Sequence, residues 1–181
     1  MDALVLARAR AGDEAAFVAM YEYFSPPIHR FAYRLLGNQE QADDVTQDTF
    51  IRAYEHLGRL DDEANVSAWL YRIAANSCQD VLRRRRRIAW VPMLEDEDKD
   101  SEFTTEDFVP QVIEAQAIQR VLAEMPPALA TCLVLRSVEG FSCEEIAEIM
   151  NIPKGTVFSR LARARELFTK IYARVGREEP A

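Results

Sequence analysis

The spacing of apolar residues in the first part of the chain predicts short amphipathic helices. Asp13 is a residue type that caps helices, and the residues after it repeat the i, i+3, i+4, i+7 spacing of one buried face. Ser25–Pro27 predicts a break, and a second helix over Ile28–Leu35 is expected to end at Gly37. The predicted buried face of the first helix consists of Phe17, Met20, Tyr21 and Phe24.

Two longer helices are predicted next. One covers Gln39–Leu57 after the capping residue Asn38, and the other runs from Val66 into the arginine run Arg83–Arg87. Their candidate core residues are Ala42, Val45, Phe50, Ala53 and Leu57 in the former and Trp69, Leu70, Ile73 and Val81 in the latter.

Residues 91–111 interrupt this pattern. They include Pro92, Pro110 and the acidic stretch Glu95–Asp107, and they hold few large apolar side chains. Such a segment cannot bury enough surface to fold by itself, so we predict a flexible acidic linker. The linker divides the chain into an N-terminal domain of residues 1–90 and a C-terminal domain of residues 112–181.

The C-terminal domain carries a helix, turn and helix near its end. Pro126 and Pro127 predict the start of one helix, and Ser142 with Glu145 predicts a capping box at the start of the next. Asn151–Pro153 predicts a tight break, after which a last helix begins at Lys154 and buries Val157, Leu161 and Ala164. The predicted fold is therefore all-α, with two small helical domains, the second containing a helix-turn-helix.

The formal net charge of −8 is unusual for a protein that binds nucleic acid, but it is unevenly distributed. Residues 1–82 hold 7 basic and 13 acidic side chains, residues 88–114 hold 1 and 9, and residues 115–181 hold 9 and 8. Positive charge is concentrated in the run Arg83–Arg87 and in the last helix, whose basic residues between 154 and 174 face a single acid, Glu166. This distribution allows two local nucleic-acid surfaces.

The last helix is the first of these surfaces. The second helix of a helix-turn-helix enters the DNA major groove, where arginine bonds to guanine edges or phosphates. An ordinary surface helix with solvated arginines is the alternative. The candidate residues are Lys154, Thr156, Phe158, Ser159, Arg160 and Arg163.

The helix that ends in the arginine run is the second surface. Trp69, Tyr71, Arg72 and Asn76 precede the arginines, and aromatic rings can stack on unpaired bases while arginines hold phosphates. Such a surface can stabilise an opened duplex without ATP hydrolysis. A core role for Trp69 and a solvated helix end for the arginines are the alternatives.

At these residues the chain resembles the sigma-70 family, in particular its extracytoplasmic-function (ECF) group. The segment ADDVTQDTFIRAYEHL, residues 42–57, is similar to the family's polymerase-binding segment. The resemblance implies contacts to the clamp helices of the largest catalytic subunit, and to the flap of the second. It assigns the clamp contact to Asp44, Gln47, Asp48 and Arg52.

Two further segments carry the resemblance. WLYRIAAN, residues 69–76, is similar to the family's minus-10 recognition helix, and GTVFSRLARAR, from Gly155, resembles its minus-35 helix. Phe158 stands where many members have arginine, and the loop of residues 59–65 carries Asp61, Asp62 and Glu63. The implied minus-10 contacts are Arg59, Asn65, Trp69, Arg72, Asn76, Arg83, Arg84 and Arg85.

The resemblance implies an alternative sigma factor that directs bacterial RNA polymerase to promoters, under the control of an anti-sigma factor. No catalytic residue, metal or cofactor is expected. The pattern also predicts a cytoplasmic protein without membrane insertion, since no apolar run reaches the roughly 18 residues that a span needs. Cys78, Cys132 and Cys143 are predicted to be reduced and mostly buried.

Two other functions fit parts of the sequence. A conventional helix-turn-helix regulator would dimerise through its N-terminal domain and bind a palindromic site by itself. A metal-dependent enzyme would use carboxylates of Glu95–Asp107 with His29 or His56, although that segment offers no rigid ligand spacing.

Overall fold

The computed structural model describes residues 1–61, 64–89 and 110–178, and these residues form helices and no strand. No helix among them is both long and apolar enough to cross a membrane. A single 3₁₀ turn, Leu57–Arg59, follows the third helix. The helices are α1 (Ala3–Arg10), α2 (Glu14–Leu36), α3 (Gln39–His56), α4 (Val66–Ala89), α5 (Pro110–Glu124), α6 (Pro127–Ser137), α7 (Cys143–Met150) and α8 (Lys154–Glu178).

The predicted break at Ser25–Pro27 is wrong, because α2 continues through Pro26 and Pro27. Each proline removes one backbone donor and disfavours helix by about 3 kcal/mol. The same face of the helix stays buried before and after the prolines, and burial of its large side chains offsets this cost. That face consists of Met20, Phe24, Ile28, Phe31 and Leu35.

Helix α1 was not predicted from the pattern. Asp2 caps it by accepting a hydrogen bond from the Leu4 N–H at 3.0 Å. Ala9 is its one fully buried residue among the described side chains, so the helix offers little apolar periodicity. It forms because it packs against α2 and the 3₁₀ turn.

The other predicted helix ends are confirmed. Asp13 Oδ1 accepts from the Ala16 N–H at 3.1 Å, and Asn38 Oδ1 accepts from the Gln41 N–H at 2.8 Å. Gly37 ends α2 with φ of 63°, a left-handed conformation that glycine adopts without strain.

The helices form two groups. Helices α1–α4 are called the N-terminal bundle, and α5–α8 are called the C-terminal bundle. Phe31 and Leu70 are fully buried in the former, and Leu135, Ile146 and Val157 are buried in the latter. Each group therefore has large apolar side chains of its own, as the prediction of two small helical domains requires. The predicted linker falls mainly on residues 90–109, which lie outside the described residues.

The two bundles pack against each other, which the sequence did not predict. Helix α4 contacts α6 and α7, and α2 contacts α5 and α6. Tyr71 lies between two rings, with its centroid 5.2 Å from that of Phe31 and 4.8 Å from that of Phe141 in the other bundle. The contact surface is called the seam below.

Candidate polymerase and promoter interfaces

The turn between α7 and α8 is held by local hydrogen bonds. Ser142 and Glu145 form the predicted capping box, with the Ser142 N–H donating to Glu145 Oε2 at 2.8 Å and the Glu145 N–H donating to Ser142 Oγ at 3.2 Å. Asn151 ends α7 at φ 50° and ψ 53°, and the Ile152 N–H donates to the Ala147 carbonyl at 3.0 Å. These bonds fix the angle between the two helices of the motif.

Helix α8 presents its predicted contact residues on the side away from the core. Val157, Leu161 and Ala164 are buried as predicted. Phe158 is 55% exposed, and the Lys154 ammonium lies 5.8 Å from the centre of its ring. The remaining candidates are exposed at Lys154, Ser159 and Arg163 and half-buried at Thr156 and Arg160.

Two of these side chains already have partners inside the protein. Lys154 forms an ion pair with Glu144 on α7, and the Ser159 hydroxyl donates to the Thr156 carbonyl at 3.0 Å. Both contacts are solvent-exposed, so a DNA phosphate or base can replace them at low cost. Phe158 is positioned for an apolar contact, such as a thymine methyl group, and not for a phosphate.

Four of the predicted minus-10 residues on helix α4, together with Asn65 just before it, fall on one stripe. They follow each other at intervals of three, four or seven residues, which places them on one side of the helix. Trp69 is half-buried and packs against the core, whereas the others are exposed. The stripe consists of Asn65, Trp69, Arg72, Asn76 and Arg83.

The stripe begins beside the C-terminal bundle. Asn65 caps α4 by accepting from the Ala68 N–H at 3.1 Å, and its amide donates to Glu145 Oε1 at 3.2 Å. Arg59 is exposed in the preceding 3₁₀ turn. Asp61 is exposed, and the loop residues Asp62 and Glu63 lie outside the described residues.

The five arginines do not share one environment. Arg83 and Arg84 are exposed, and Arg83 pairs with Asp80 at 3.4 Å. Arg85 instead turns back into the bundle, where it donates to the Leu36 carbonyl at 2.8 Å and to Gln41 Oε1. Partial burial lowers the Arg85 pKa from its usual value.

Arg85 therefore uses its guanidinium inside the protein, unlike Arg84, and its predicted contact with DNA stays a prediction. Its guanidinium joins α4 to the end of α2 and the start of α3. Arg86 also has a protein partner, because it donates to the Met125 carbonyl of the C-terminal bundle at 2.6 Å. Within the run, Arg85 alone is half-buried, and Arg83, Arg84, Arg86 and Arg87 are exposed.

The predicted polymerase contacts lie on α3. Asp44, Gln47 and Arg52 are exposed, and Asp48 is half-buried. The Asp48 carboxylate accepts from the Ser77 hydroxyl and from Arg52 Nε, both at 3.1 Å. Asp48 therefore holds α3 to α4 as well as facing solvent, whereas Asp44 lies fully on the surface.

An apolar patch beside these residues was missed in the sequence. Ile51 and Tyr54 on α3 are 52% and 63% exposed, and they lie one and two helical turns past Gln47. Val18 and Tyr21 lie on α2, which packs against α3, and they are also exposed. The rings of Phe17 and Tyr54 meet edge to face at 5.1 Å, as do those of Tyr21 and Phe50 at 4.8 Å. These four exposed residues, Val18, Tyr21, Ile51 and Tyr54, are called the apolar patch.

The patch was missed because Tyr21 fits the same helical spacing as true core residues. A helical spacing identifies a face but does not show whether a neighbouring element covers it. In soluble proteins, large contiguous patches of exposed apolar surface mark sites of association.

The cysteines and histidines form no metal site in the described part of the chain. Cys78 and Cys132 are buried thiols and Cys143 is half-buried, close to the prediction. Burial raises the pKa of Cys78 to about 12. His29 lies 2.9 Å from Asp43, and His56 lies beside Glu55 at 4.0 Å. The acidic segment of the alternative metal site, Glu95–Asp107, lies outside the described residues.

Comparison with known proteins identifies the family of this chain. The family model for sigma-70 region 2 matches residues 20–88, and that for sigma-70 region 4 matches residues 115–168. The chain is 34% identical over 173 residues to the ECF RNA polymerase sigma factor SigW of Bacillus subtilis, covering 89% of this chain and 91% of that protein. The chain belongs to the ECF group of the sigma-70 family.

Other sigma factors are similarly related. The ECF RNA polymerase sigma factor SigM of Mycobacterium tuberculosis H37Rv is 35% identical over 170 residues, covering 94% of this chain and 84% of the relative. In fold, the chain is similar to CnrH in complex with the cytosolic domain of CnrY, with a TM-score of 0.73 at 23% identity, covering 98% of this chain and 99% of that one. This sigma factor is a transcription initiation factor that acts with RNA polymerase on promoter DNA, and the families and relatives that it matches are sigma factors.

Proposed function

We propose that α3 docks on core RNA polymerase, that the stripe on α4 contacts minus-10 DNA and that α8 contacts minus-35 DNA. The observation that carries this assignment is the presence of two exposed basic helix faces, one on each bundle. A single DNA-reading helix would suit a conventional regulator. Two faces on separate bundles suit a factor that holds two promoter elements at once.

The charge distribution supports a division of labour with polymerase. The N-terminal residues 1–82 carry an excess of six acids, so electrostatic attraction between the factor alone and DNA is weak. Polymerase supplies the missing phosphate contacts, and the two bundles then add their own. We expect binding of promoter DNA by the factor alone to be weak.

The apolar patch extends the docking surface of α3. Asp44 and Gln47 lie at one end of the exposed face, and Ile51 and Tyr54 continue it by two turns. Interfaces place buried apolar or aromatic anchors beside a polar rim, and this face offers both. The partner is the clamp-helix region of the largest polymerase subunit, and the C-terminal bundle engages the flap of the second.

We further propose that a cognate anti-sigma factor controls the protein in the bacterial cytoplasm. The similar structure of RpoE from Bartonella quintana contains the anti-sigma factor NepR, and that of CnrH contains the cytosolic domain of CnrY. The RpoE structure, in complex with the anti-sigma factor NepR, has a TM-score of 0.65 at 24% identity and covers 86% of this chain and 95% of that one. The functional division into residues 1–90, the linker 91–111 and residues 112–181 stays a prediction.

The test measures binding to sigma-free core polymerase by fluorescence anisotropy in the absence of DNA. Asp44→Arg reverses an exposed charge without removing an internal hydrogen-bond partner, which makes it cleaner than a change at Asp48. Asp80→Arg is the matched control, since Asp80 is also an exposed aspartate but lies on α4, away from the proposed docking face of α3. We expect a one-to-one complex that Asp44→Arg weakens at least tenfold and Asp80→Arg leaves intact.

Failure to bind core polymerase, together with tight binding of the unassisted chain to a palindromic DNA, would instead support the conventional regulator. The apolar patch is tested in the same assay with Tyr54→Ser. Tyr23→Ser is its control, because Tyr23 is 56% exposed but lies outside the patch. An anchor of this type contributes about 2 kcal/mol, or roughly thirtyfold in affinity. Equal effects of the two serine variants would remove the patch from the interface.

A further inference from the structure

One carboxylate at the seam, that of Glu139, accepts hydrogen bonds from the other bundle. Glu139 lies in the turn between α6 and α7, and its side chain is 10% exposed. The Tyr71 hydroxyl on α4 donates to Glu139 Oε2 at 2.6 Å, and Arg34 Nη1 on α2 donates to Oε1 at 3.1 Å. Both oxygens of the Glu139 carboxylate, which belongs to the C-terminal bundle, therefore accept hydrogen bonds from donors of the N-terminal bundle.

The groups around Glu139 support this arrangement. Tyr71 is packed between Phe31 and Phe141, which fixes the direction of its hydroxyl. Burial and the hydrogen bond to Glu139 raise the pKa of Tyr71 well above its usual range, so it remains a donor. Hydrogen bonds to a charged group in a partly desolvated setting are stronger than neutral ones.

Other seam contacts are individually weaker or more exposed. Gln119 donates to the Arg34 carbonyl at 2.9 Å, and Asn65 donates to Glu145 at 3.2 Å on the surface. Arg86 donates to the Met125 carbonyl. Among the seam contacts given by the described residues, the Glu139 pair is the one that joins a buried carboxylate to two donors across the bundles.

Packed bundles cannot reach both promoter elements. A compact chain of this length has a radius of gyration of about 16 Å, and thus a diameter near 40 Å. DNA advances about 34 Å per helical turn of roughly 10 base pairs, so elements centred at minus-35 and minus-10 lie about 85 Å apart. Simultaneous binding by α4 and α8 requires that the seam separate.

We propose that Glu139 is a latch that holds the sigma factor closed, and that promoter engagement requires its release from Tyr71 and Arg34. The claim that promoter engagement requires release of the latch rests on the proposed function, whereas the latch itself is a property of the isolated chain. Closed molecules are unable to bind both promoter elements. The apparent affinity for a promoter is therefore the affinity of the open form multiplied by the fraction of molecules that are open.

The latch is tested by solution X-ray scattering of the full chain. Glu139→Lys places a cation against Arg34, and we expect the radius of gyration to rise by roughly a third as the bundles separate. Because Glu139 is shielded by the other bundle and not by its own core, we expect the helix content to be unchanged by circular dichroism. Glu148→Lys, an exposed change on α7, is the matched control and should stay compact.

A charge exchange makes the test specific. The double variant Arg34→Glu with Glu139→Lys recreates an ion pair across the seam, and we expect it to restore the compact radius. Tyr71→Phe removes one donor without adding charge and should give an intermediate radius. A Glu139→Lys chain as compact as the wild type, or a double variant that stays open, would overturn the latch.

Run-off transcription then tests its consequence. We expect Glu139→Lys to reach half-maximal transcription at roughly tenfold lower factor concentration than wild type, with Glu148→Lys unchanged. If the Glu139→Lys chain is open but its transcription depends on factor concentration as the wild type does, the regulatory role is overturned and the latch itself stands. Absence of any polymerase complex for the wild type would overturn the proposed function, and scattering would still decide the latch independently.

Discussion

The two basic helices of this sigma factor, α4 and α8, differ in how much of their charge is used inside the protein. On α4, Arg85 and Arg86 donate to backbone carbonyls, one within the bundle and one across the seam. On α8, Arg163 is exposed and the turn before it is fixed by local bonds. Helix α8 therefore keeps Arg163 directed to solvent, whereas α4 uses two arginines of its run for contacts inside the protein.

The difference shows that a run of like charges does not have one function. Adjacent arginines on a helix point about 100° apart, so five in succession reach every side of it. Those on the outer side are available to phosphates, and those on the inner side find carbonyl partners. The predictions below test this contrast.

The largest effect is expected at α8. Arg163→Glu replaces an exposed cation of the recognition surface by an anion, and we expect promoter binding by the holoenzyme to fall about 100-fold, at the upper end of single base contacts. Gel-shift titration on a promoter measures the change. Lys170→Glu, two turns further along α8, is the control, and an equal loss there would mean that only overall charge matters.

The next largest effect is expected on the free energy of unfolding when Arg85 on α4 is replaced. Arg85→Ala removes two charge-assisted hydrogen bonds, and we expect the free energy of unfolding to fall by about 2 kcal/mol. Urea unfolding followed by tryptophan fluorescence reports the N-terminal half, because both tryptophans, Trp69 and Trp90, precede the C-terminal bundle. Arg84→Ala should leave unfolding unchanged, and equal effects would refute the division within the arginine run.

A smaller effect is expected on the exposed stripe of α4. Arg72→Ala should weaken holoenzyme binding about fivefold on any promoter and reduce the salt slope by about one, as loss of one phosphate contact does. Asn76→Ala should act only on promoters with the preferred base, since amides read base edges. Binding at several salt concentrations to two promoter sequences separates these outcomes, and identical salt behaviour of both variants would contradict the assignment.

The smallest effect concerns the rigidity of the turn. Ser142→Ala removes one half of the capping box, and we expect the unfolding free energy of the C-terminal bundle to fall by about 1 kcal/mol. The change should appear in urea unfolding by circular dichroism and leave the tryptophan signal largely unaffected. Ser137→Ala at the exposed end of α6 is the control. A loss of similar size in both variants would exclude the cap as its cause.

The sequence by itself determined helices α3, α4, α6, α7 and α8, the capping residues Asp13, Asn38 and Ser142, and the helix-turn-helix. These features depend on neighbours within a few positions, so local spacing and hydrogen-bonding chemistry identify them. Helical spacing also accounts for the stripe on α4, because residues three and four apart share a side of a helix, whereas its minus-10 contacts stay a prediction.

Tertiary structure decided the rest. The apolar face of α2 outweighed Pro26 and Pro27, and contact with α2 formed a first helix that has little periodicity of its own. Likewise, only packing distinguished Arg85 from Arg84 and brought Glu139 to Tyr71, 68 positions earlier in the chain. Burial and partner choice depend on which surfaces meet, and no local pattern encodes that meeting.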